Sequence, residues 1–176
     1  MKIRKKCRIC NHKLQRIISF KKISLVGNFY RKKGDKKKFP ISLNYCKKCK
    51  HVQIAEIINP KKLFSNYLWQ TSVSRTNFLI FEKLLSKYKK FFSKKSKLLE
   101  IACNDGSFLK YVQKRCSCFL VGIDPAKNIF TGDKNIKFIN NFFDFSVSKQ
   151  LLRKFGKFDI IFARNVLAHV TNPNEI

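Results

Sequence analysis

From Lys97 onward, short apolar runs alternate with segments of helical period. The runs are KLLEIA (97–102), CFLVGID (118–124), IKFIN (136–140) and FDIIFARNV (158–166), with helix-compatible stretches at about 106–116 and 146–155 between them. Apolar runs of this length bounded by turn residues read as strands, and strands alternating with helices predict βαβ units and a parallel sheet. Upstream, NFLIFEKLLSKYKKFF (77–92) is an amphipathic helix with a basic outer face, preceded by the turn and capping residues of NPKKLFSNYLWQTSVSRT. Residues 1–58 hold two short β-like runs, ISLVGNFY (23–30) and HVQIAEII (51–58), around a Lys-rich loop. The expected division is a module at 1–58, a bridging segment and helix at 59–96, and an α/β domain at 97–176, without internal repeats. The last strand candidate ends ten residues before Ile176, and TNPNEI reads as a turn that opens another helix. A doubly wound sheet of four strands leaves its last strand as a raw apolar edge, so the expectation is a sheet truncated after the fourth strand.

Composition changes this picture only in part. An apolar content of 44% with 18 Phe describes a folding chain, while 39 Lys and Arg against 10 Asp and Glu give a net charge of +29. Such a charge points to a polyanion partner such as nucleic acid. A blander account is that Lys, Ile, Asn and Phe are in excess together, as an AT-rich coding sequence would leave them. The lysines are scattered, with runs such as RKKGDKKK (31–38) at surface-like sites. No stretch approaches the ~18 consecutive apolar residues that span a bilayer, and MKIRKKCRIC runs into a cysteine pair rather than a signal core. A cytoplasmic protein without a membrane partner follows as an expectation, in which seven cysteines are thiols or metal ligands rather than disulfides.

Four of those cysteines have metal-ligand spacing. Cys7-Arg-Ile-Cys10 and Cys46-Lys-Lys-Cys49 form two C-x2-C pairs with 35 residues between them. Each pair turns two sulfurs toward one ion, and four thiolates suit tetrahedral Zn²⁺ with no open position, so the zinc is expected to be structural. The gap exceeds common ribbon spacing, but a hairpin with a long Lys-rich loop bridges it. His12 and His51 read as solvated neighbours rather than ligands. Cys103, Cys116 and Cys118 read as ordinary thiols.

The first strand of the α/β part leads into LEIACNDGSFL (99–109), a strand, a loop and a helix start. Ligands of doubly wound sheets bind beyond the carboxyl ends of the strands. Gly106 permits a close backbone approach there, and Asn104 or Asp105 can cap the helix. The second strand ends at GIDP, which puts Asp124 24 residues after Glu100. An acidic side chain at that place can accept both hydroxyls of a ribose, or cap a helix at Pro125. The absence of G-x-G-x-x-G leaves little provision for a pyrophosphate, which favours S-adenosylmethionine over a dinucleotide.

The ordered set CRIC, NYCKKCKHVQ, LFSNYLWQTSVS, LEIACNDGSFL, GIDPAKN, NNFF and ARNVLAHV resembles the sugar C-methyltransferases that act on nucleotide-linked keto-deoxysugars. The resemblance implies a small zinc-ribbon-like N-terminal module, a Rossmann-like class I methyltransferase sheet, and a further C-terminal domain. It implies that Glu100, Asn104, Asp105 and Gly106 form the first cofactor motif, that Asp124 binds the ribose, and that Asn165 lies near the methionine part. Tyr67 and Ser72 are implied at the active-site mouth, and His169 toward the sugar, where it also reads as a capping or core histidine. Ala102 and Cys103 stand where the family usually has Gly-Ser, an extra Cβ that crowds the loop, and Trp69 stands where a second Tyr is common.

The implied reaction is methylation of a carbon next to a sugar ketone, through removal of the α-proton and attack of the enolate on the sulfonium methyl. In that family the base and the enolate stabiliser come largely from a motif beyond Ile176. The chain is therefore expected to be inactive or incompletely folded by itself: a fragment, a decayed gene product, or one part of a split protein whose second polypeptide supplies the rest. Two other readings stay open, a basic zinc-ribbon protein that binds nucleic acid and a methyltransferase acting on another small molecule or on RNA.

Overall fold

The computed structural model describes residues 1–25, 38–130 and 132–176. The chain forms two compact units, Met1–Leu63 with Val170–Asn174, and Phe64–His169 with Glu175–Ile176.

The first unit is built on β1 (Lys2–Ile3), β2 (Gln15–Ser24), β3 (Lys38–Tyr45), β4 (Val52–Ile54) and β5 (Glu56–Ile57). β2, β3 and β4 form an antiparallel sheet in that order, with β2 and β3 in a hairpin, and β1 pairs with β5. The hairpin expected between the cysteine pairs is present. The run at 51–58 is two strands rather than one, broken at buried Ala55. Of the run at 23–30, Ile23 and Ser24 end β2 and the part from Val26 onward lies outside the described residues, as do residues 31–37 of the lysine run. Returning chain is tied to this unit by Arg8 and Arg4, which donate to the carbonyls of Val170 and Thr171 at 3.1 and 3.0 Å.

The second unit follows the alternating pattern. Its strands are β6 (Lys97–Ile101), β7 (Phe119–Ile123), β8 (Ile136–Ile139) and β9 (Ile160–Ala163), and its main helices α2 (Arg75–Tyr88), α3 (Ser107–Gln113) and α4 (Phe145–Phe155), after a short α1 (Pro60–Phe64). The four strands are parallel in the order β8-β7-β6-β9, so strand order reverses between β7 and β9, around β6. α4 starts at Asp144, whose carboxylate accepts from the Val147 N–H at 2.9 Å, an N-cap of the ordinary kind. The TNPNEI end is a single 3-10 turn, Pro173–Glu175.

The main core joins one sheet face to two helices: Leu98, Leu120 and Ile136 meet Phe81 and Leu85 of α2 and Phe108, Leu109 and Val112 of α3. Phe81 and Phe108 pack 5.2 Å apart, and Phe162 meets Phe108 edge-on at 5.0 Å. The alternate residues Leu99, Ile101, Val121 and Ile123 are buried too, as the continuous apolar runs of parallel strands require. Gly122 makes room for Cys103 and Leu109 across this core: a Cβ there would sit 2.7 Å from both the Cys103 Sγ and the Leu109 Cδ1. Gly122→Ala is expected to lower stability by about 1–3 kcal/mol through overpacking, read from the denaturant midpoint.

Candidate functional site

The two cysteine pairs adopt one backbone design. In each, the N–H of the first cysteine donates to the histidine five residues on (Cys7 to His12 at 2.7 Å, Cys46 to His51 at 2.9 Å). The residue before each histidine turns left-handed, Asn11 at φ 58° and Lys50 at φ 63°. The histidines thus serve through their carbonyls. Cys7, Cys10, Cys46 and Cys49 bring their sulfurs within 4.8 Å of one another, with Cys7–Cys49 at 3.6 Å and Cys10–Cys46 at 3.4 Å. Zn–S bonds of about 2.3 Å in a tetrahedron put sulfurs roughly 3.8 Å apart, so the donor set fits zinc. A backbone N–H from Cys49 lowers the Cys46 thiol, while burial and the neighbouring cysteine sulfurs raise that of Cys49; a bound dication would draw all four to thiolates. Four protein ligands close the coordination sphere, and this is a structural zinc site.

The second cluster lies at the carboxyl ends of β6 and β7. After Ile101 the chain turns left-handed three times, at Ala102 (φ 54°), Asn104 (φ 54°) and Gly106 (φ 73°). Gly106, not Asn104 or Asp105, occupies the position before α3. The expected cap is therefore corrected: the left-handed conformation favours glycine, and a Cβ there would lie 2.9 Å from the Phe130 ring. Asp105 accepts instead from the N–H and hydroxyl of Ser107, at 3.1 and 2.6 Å, and its other oxygen from the Ser72 N–H at 2.9 Å. Burial alone would raise the Asp105 carboxyl, but these bonds from Ser107 and Ser72 hold it below its ordinary value.

Asn104 fastens the loop to the segment ahead of α2. Its side-chain oxygen accepts from the Thr71 N–H at 2.9 Å, and its amide donates to the Trp69 carbonyl at 3.1 Å. Its own N–H donates to Asp124 at 2.8 Å. The second Asp124 oxygen accepts from the Ala126 N–H, also at 2.8 Å. No helix follows Pro125, so Asp124 closes a turn rather than capping a helix. Burial raises its carboxyl.

Glu100 is fully buried on the core face of β6. One carboxylate oxygen accepts from Arg164 Nε at 3.0 Å and from a terminal guanidinium nitrogen at 2.5 Å. The other has no partner. The Arg164 guanidinium is 4.7 Å from the ring centres of both Phe81 and Phe108. Burial pushes Glu100 up to about 7 against the pull of Arg164, and the negative charges of Asp105 and Asp124 add to the rise. Glu100 senses the charges of Asp105 and Asp124, and Asp124 that of Asp105; with Arg164 held by Glu100, the two aspartates at the strand ends make a region that favours a cation. A sulfonium cofactor with an ammonium tail fits that donor set.

Other site candidates fall into a second group. Tyr67 is held by reciprocal bonds with Asn128, its N–H to the side-chain oxygen at 3.0 Å and its carbonyl from the amide at 2.9 Å. The rings of Tyr67 and His169 each lie 6.0 Å from Phe64, so the two are brought to one aromatic side chain. Asn165 stands exposed at φ 55° directly after Arg164.

The sequence reading missed Arg164. Its signal was an acid inside an apolar strand, which in a parallel sheet needs a cation or donor beside it. Asn128, the fourth residue after Asp124, ends the GIDPAKN motif and holds the Tyr67 backbone from both sides. The strained Ala102 is testable: Ala102→Gly should remove about 1 kcal/mol of left-handed strain, offset in part by backbone entropy, and raise the thermal midpoint slightly.

Residues 7–64 match a family model described as a zinc binding domain, and residues 74–176 one described as a methyltransferase domain. The chain is 24% identical over 178 residues to "C-methyltransferase NovU" of Streptomyces niveus, across 97% of this chain and 42% of that protein. It therefore spans about two fifths of that relative's length. Among the described residues no helix is long and apolar enough to cross a membrane.

Proposed function

Because the chain belongs to the methyltransferase-domain family and carries a zinc binding domain ahead of it, we propose that it is the cofactor-binding part of an S-adenosylmethionine-dependent C-methyltransferase whose substrate is a nucleotide-linked keto sugar. The observation that carries the reading is the carboxyl cluster Glu100, Asp105 and Asp124 around a loop whose Asn104 ties it to Asp124 and to Thr71. S-adenosylmethionine supplies a methyl group activated by a sulfonium charge.

Asp124 is assigned to the ribose: each oxygen already accepts one N–H, and each keeps a lone pair for a hydroxyl. Glu100, Asn104, Asp105 and Gly106 shape the cradle, Ser72 closes it through its N–H to Asp105, and Asn165 faces the amino-acid end. Tyr67 and His169 are the proposed acid–base pair for the carbon acid, the imidazole being suited to accept the proton α to a ketone and the phenol to steady the enolate oxygen. Transfer to carbon is supported by the C-methyltransferase relative, and the sugar by the resemblance of the motif set alone. A second polypeptide or further chain supplying the remaining catalytic groups belongs to the same proposal.

Asp124→Ala and Asp124→Asn test the assignment. Losing charged hydrogen bonds worth about 1.5–3 kcal/mol should weaken S-adenosylhomocysteine binding by at least tenfold in zinc-loaded protein with an unchanged circular dichroism spectrum. Unchanged affinity in both variants would remove Asp124 from the cofactor. The RNA-directed reading is separated by adding RNA to the same titration: competition that fades steeply with salt would favour it.

A further inference from the structure

Residues 65–70 run between α1 and the 3-10 turn Thr71–Val73 with neither helix nor strand, yet their backbone is fastened at alternate residues. The Ser65 carbonyl accepts from the Lys127 N–H at 3.0 Å. The Tyr67 N–H donates to the Asn128 side-chain oxygen at 3.0 Å, and its carbonyl accepts from the Asn128 amide at 2.9 Å. The Trp69 carbonyl accepts from the Asn104 amide at 3.1 Å, and the Thr71 N–H donates to the Asn104 oxygen at 2.9 Å. Anchors at every second residue are what an extended chain offers along one edge, and Gln70 has extended backbone. All the anchors belong to two loops, 102–106 and 124–128, which are themselves joined by the Asn104 N–H on Asp124. The strap so held carries Tyr67 across the loops assigned above to the cofactor.

We propose that Asn128 is a positioning residue for the transfer, and that the strap 65–71 is fastened when the cofactor binds, which sets the Tyr67 phenol in register with the methyl donor. This rests on the cofactor and Tyr67 assignments above. A ligand that grips Asp124 and the 102–106 loop together fixes every anchor at once, so the ordering of the strap is coupled to binding. Register matters because reacting atoms must be held about 3–3.5 Å apart for attack. Asn128 acts through the Tyr67 backbone and leaves the ribose contact alone, since the two Asp124 oxygens accept from the N–H groups of Asn104 and Ala126. Its bonds to Tyr67 are solvent-exposed, so water replaces them when the side chain is shortened and the fold survives.

The test is amide hydrogen exchange on the zinc-loaded full chain, with and without S-adenosylhomocysteine, with binding heat measured on the same samples. In the parent, the ligand should slow exchange of the Tyr67 and Thr71 amides by at least about tenfold. The emission of Trp69, the single tryptophan of the chain, should change with the same midpoint as the heat. Asn128→Ala should bind with the parent's affinity and keep the slowing at Thr71, but lose it at Tyr67. Asn128→Asp, which keeps an oxygen for the Tyr67 N–H, should restore it. Binding heat without slowing of the strap amides would overturn the proposal and leave the cofactor assignment standing, whereas absent heat would overturn both. Equal slowing at Tyr67 in the parent and in Asn128→Ala, or loss of cofactor binding in that variant, would overturn the positioning role.

Discussion

Serine in place of Cys46 is expected to release the zinc and unfold the first unit. Among the described residues of that unit, the buried apolar side chains are Cys7, Ala55 and Cys46 itself, while Ser42, Asn44 and Gln53 are the other buried residues. β2 is exposed over nearly its whole length, with Ile17, Ile18, Phe20 and Ile23 all open to solvent. A domain with so small a core needs a staple. Structural zinc contributes about 10–16 kcal/mol of apparent binding free energy in small zinc modules at neutral pH, far above what this core provides. Cys46→Ser, or a strong chelator on the parent chain, should therefore abolish amide protection in β2, β3 and β4 and leave β6 and β7 protected. Retained protection in β3 after complete zinc loss would mean that the hydrogen-bonded sheet stands without metal.

The second large effect is at Arg164. Removing it as Arg164→Ala leaves Glu100 buried with no cation, and breaking a buried pair costs about 3–5 kcal/mol. It also withdraws the guanidinium that lies 4.7 Å from the ring centres of both Phe81 and Phe108. The pH dependence carries the sign. Glu100 titrates near 7 when folded against an ordinary value of 4.5. The folded state therefore binds more protons between these values, and stability is fullest below 4.5 and falls as pH rises through 7. The difference corresponds to about 3 kcal/mol. Glu100→Gln should flatten this slope, whereas Arg164→Ala should steepen it and extend it above pH 7. Denaturant melts at pH 5, 6, 7 and 8 read both. Parallel curves for the parent and Glu100→Gln would show that Glu100 does not titrate in this range.

The parts of the fold legible in the sequence are those buried on both faces. β6 and β7 sit inside their apolar runs, and α2 and α4 match their periodic stretches within two residues at the start, since burial left an uninterrupted pattern. β2 was not legible because QRIISFKKIS is exposed on both sides and has no period for a core to impose. The four zinc ligands were readable from spacing alone, as local turns bring each pair together. The loop from Ala102 to Gly106 was readable as a turn but not in its wiring. Asn104 bonds to Thr71 and Asp105 to Ser72, each 33 positions away, and Glu100 to Arg164 across 64. The Glu100 partner is set by the parallel register of β6 and β9, and Thr71 and Ser72 are brought in by the turn ahead of α2, neither of which a local pattern records. Ala102, read as a crowding Cβ, is a residue in left-handed conformation where glycine would be at ease.

The measurement closest to the central claim is calorimetric titration of the chain with S-adenosylhomocysteine, with zinc determined on the same sample. The account predicts one zinc and one saturable cofactor site per chain. Folded, zinc-loaded protein that gives no binding heat at several temperatures would contradict it.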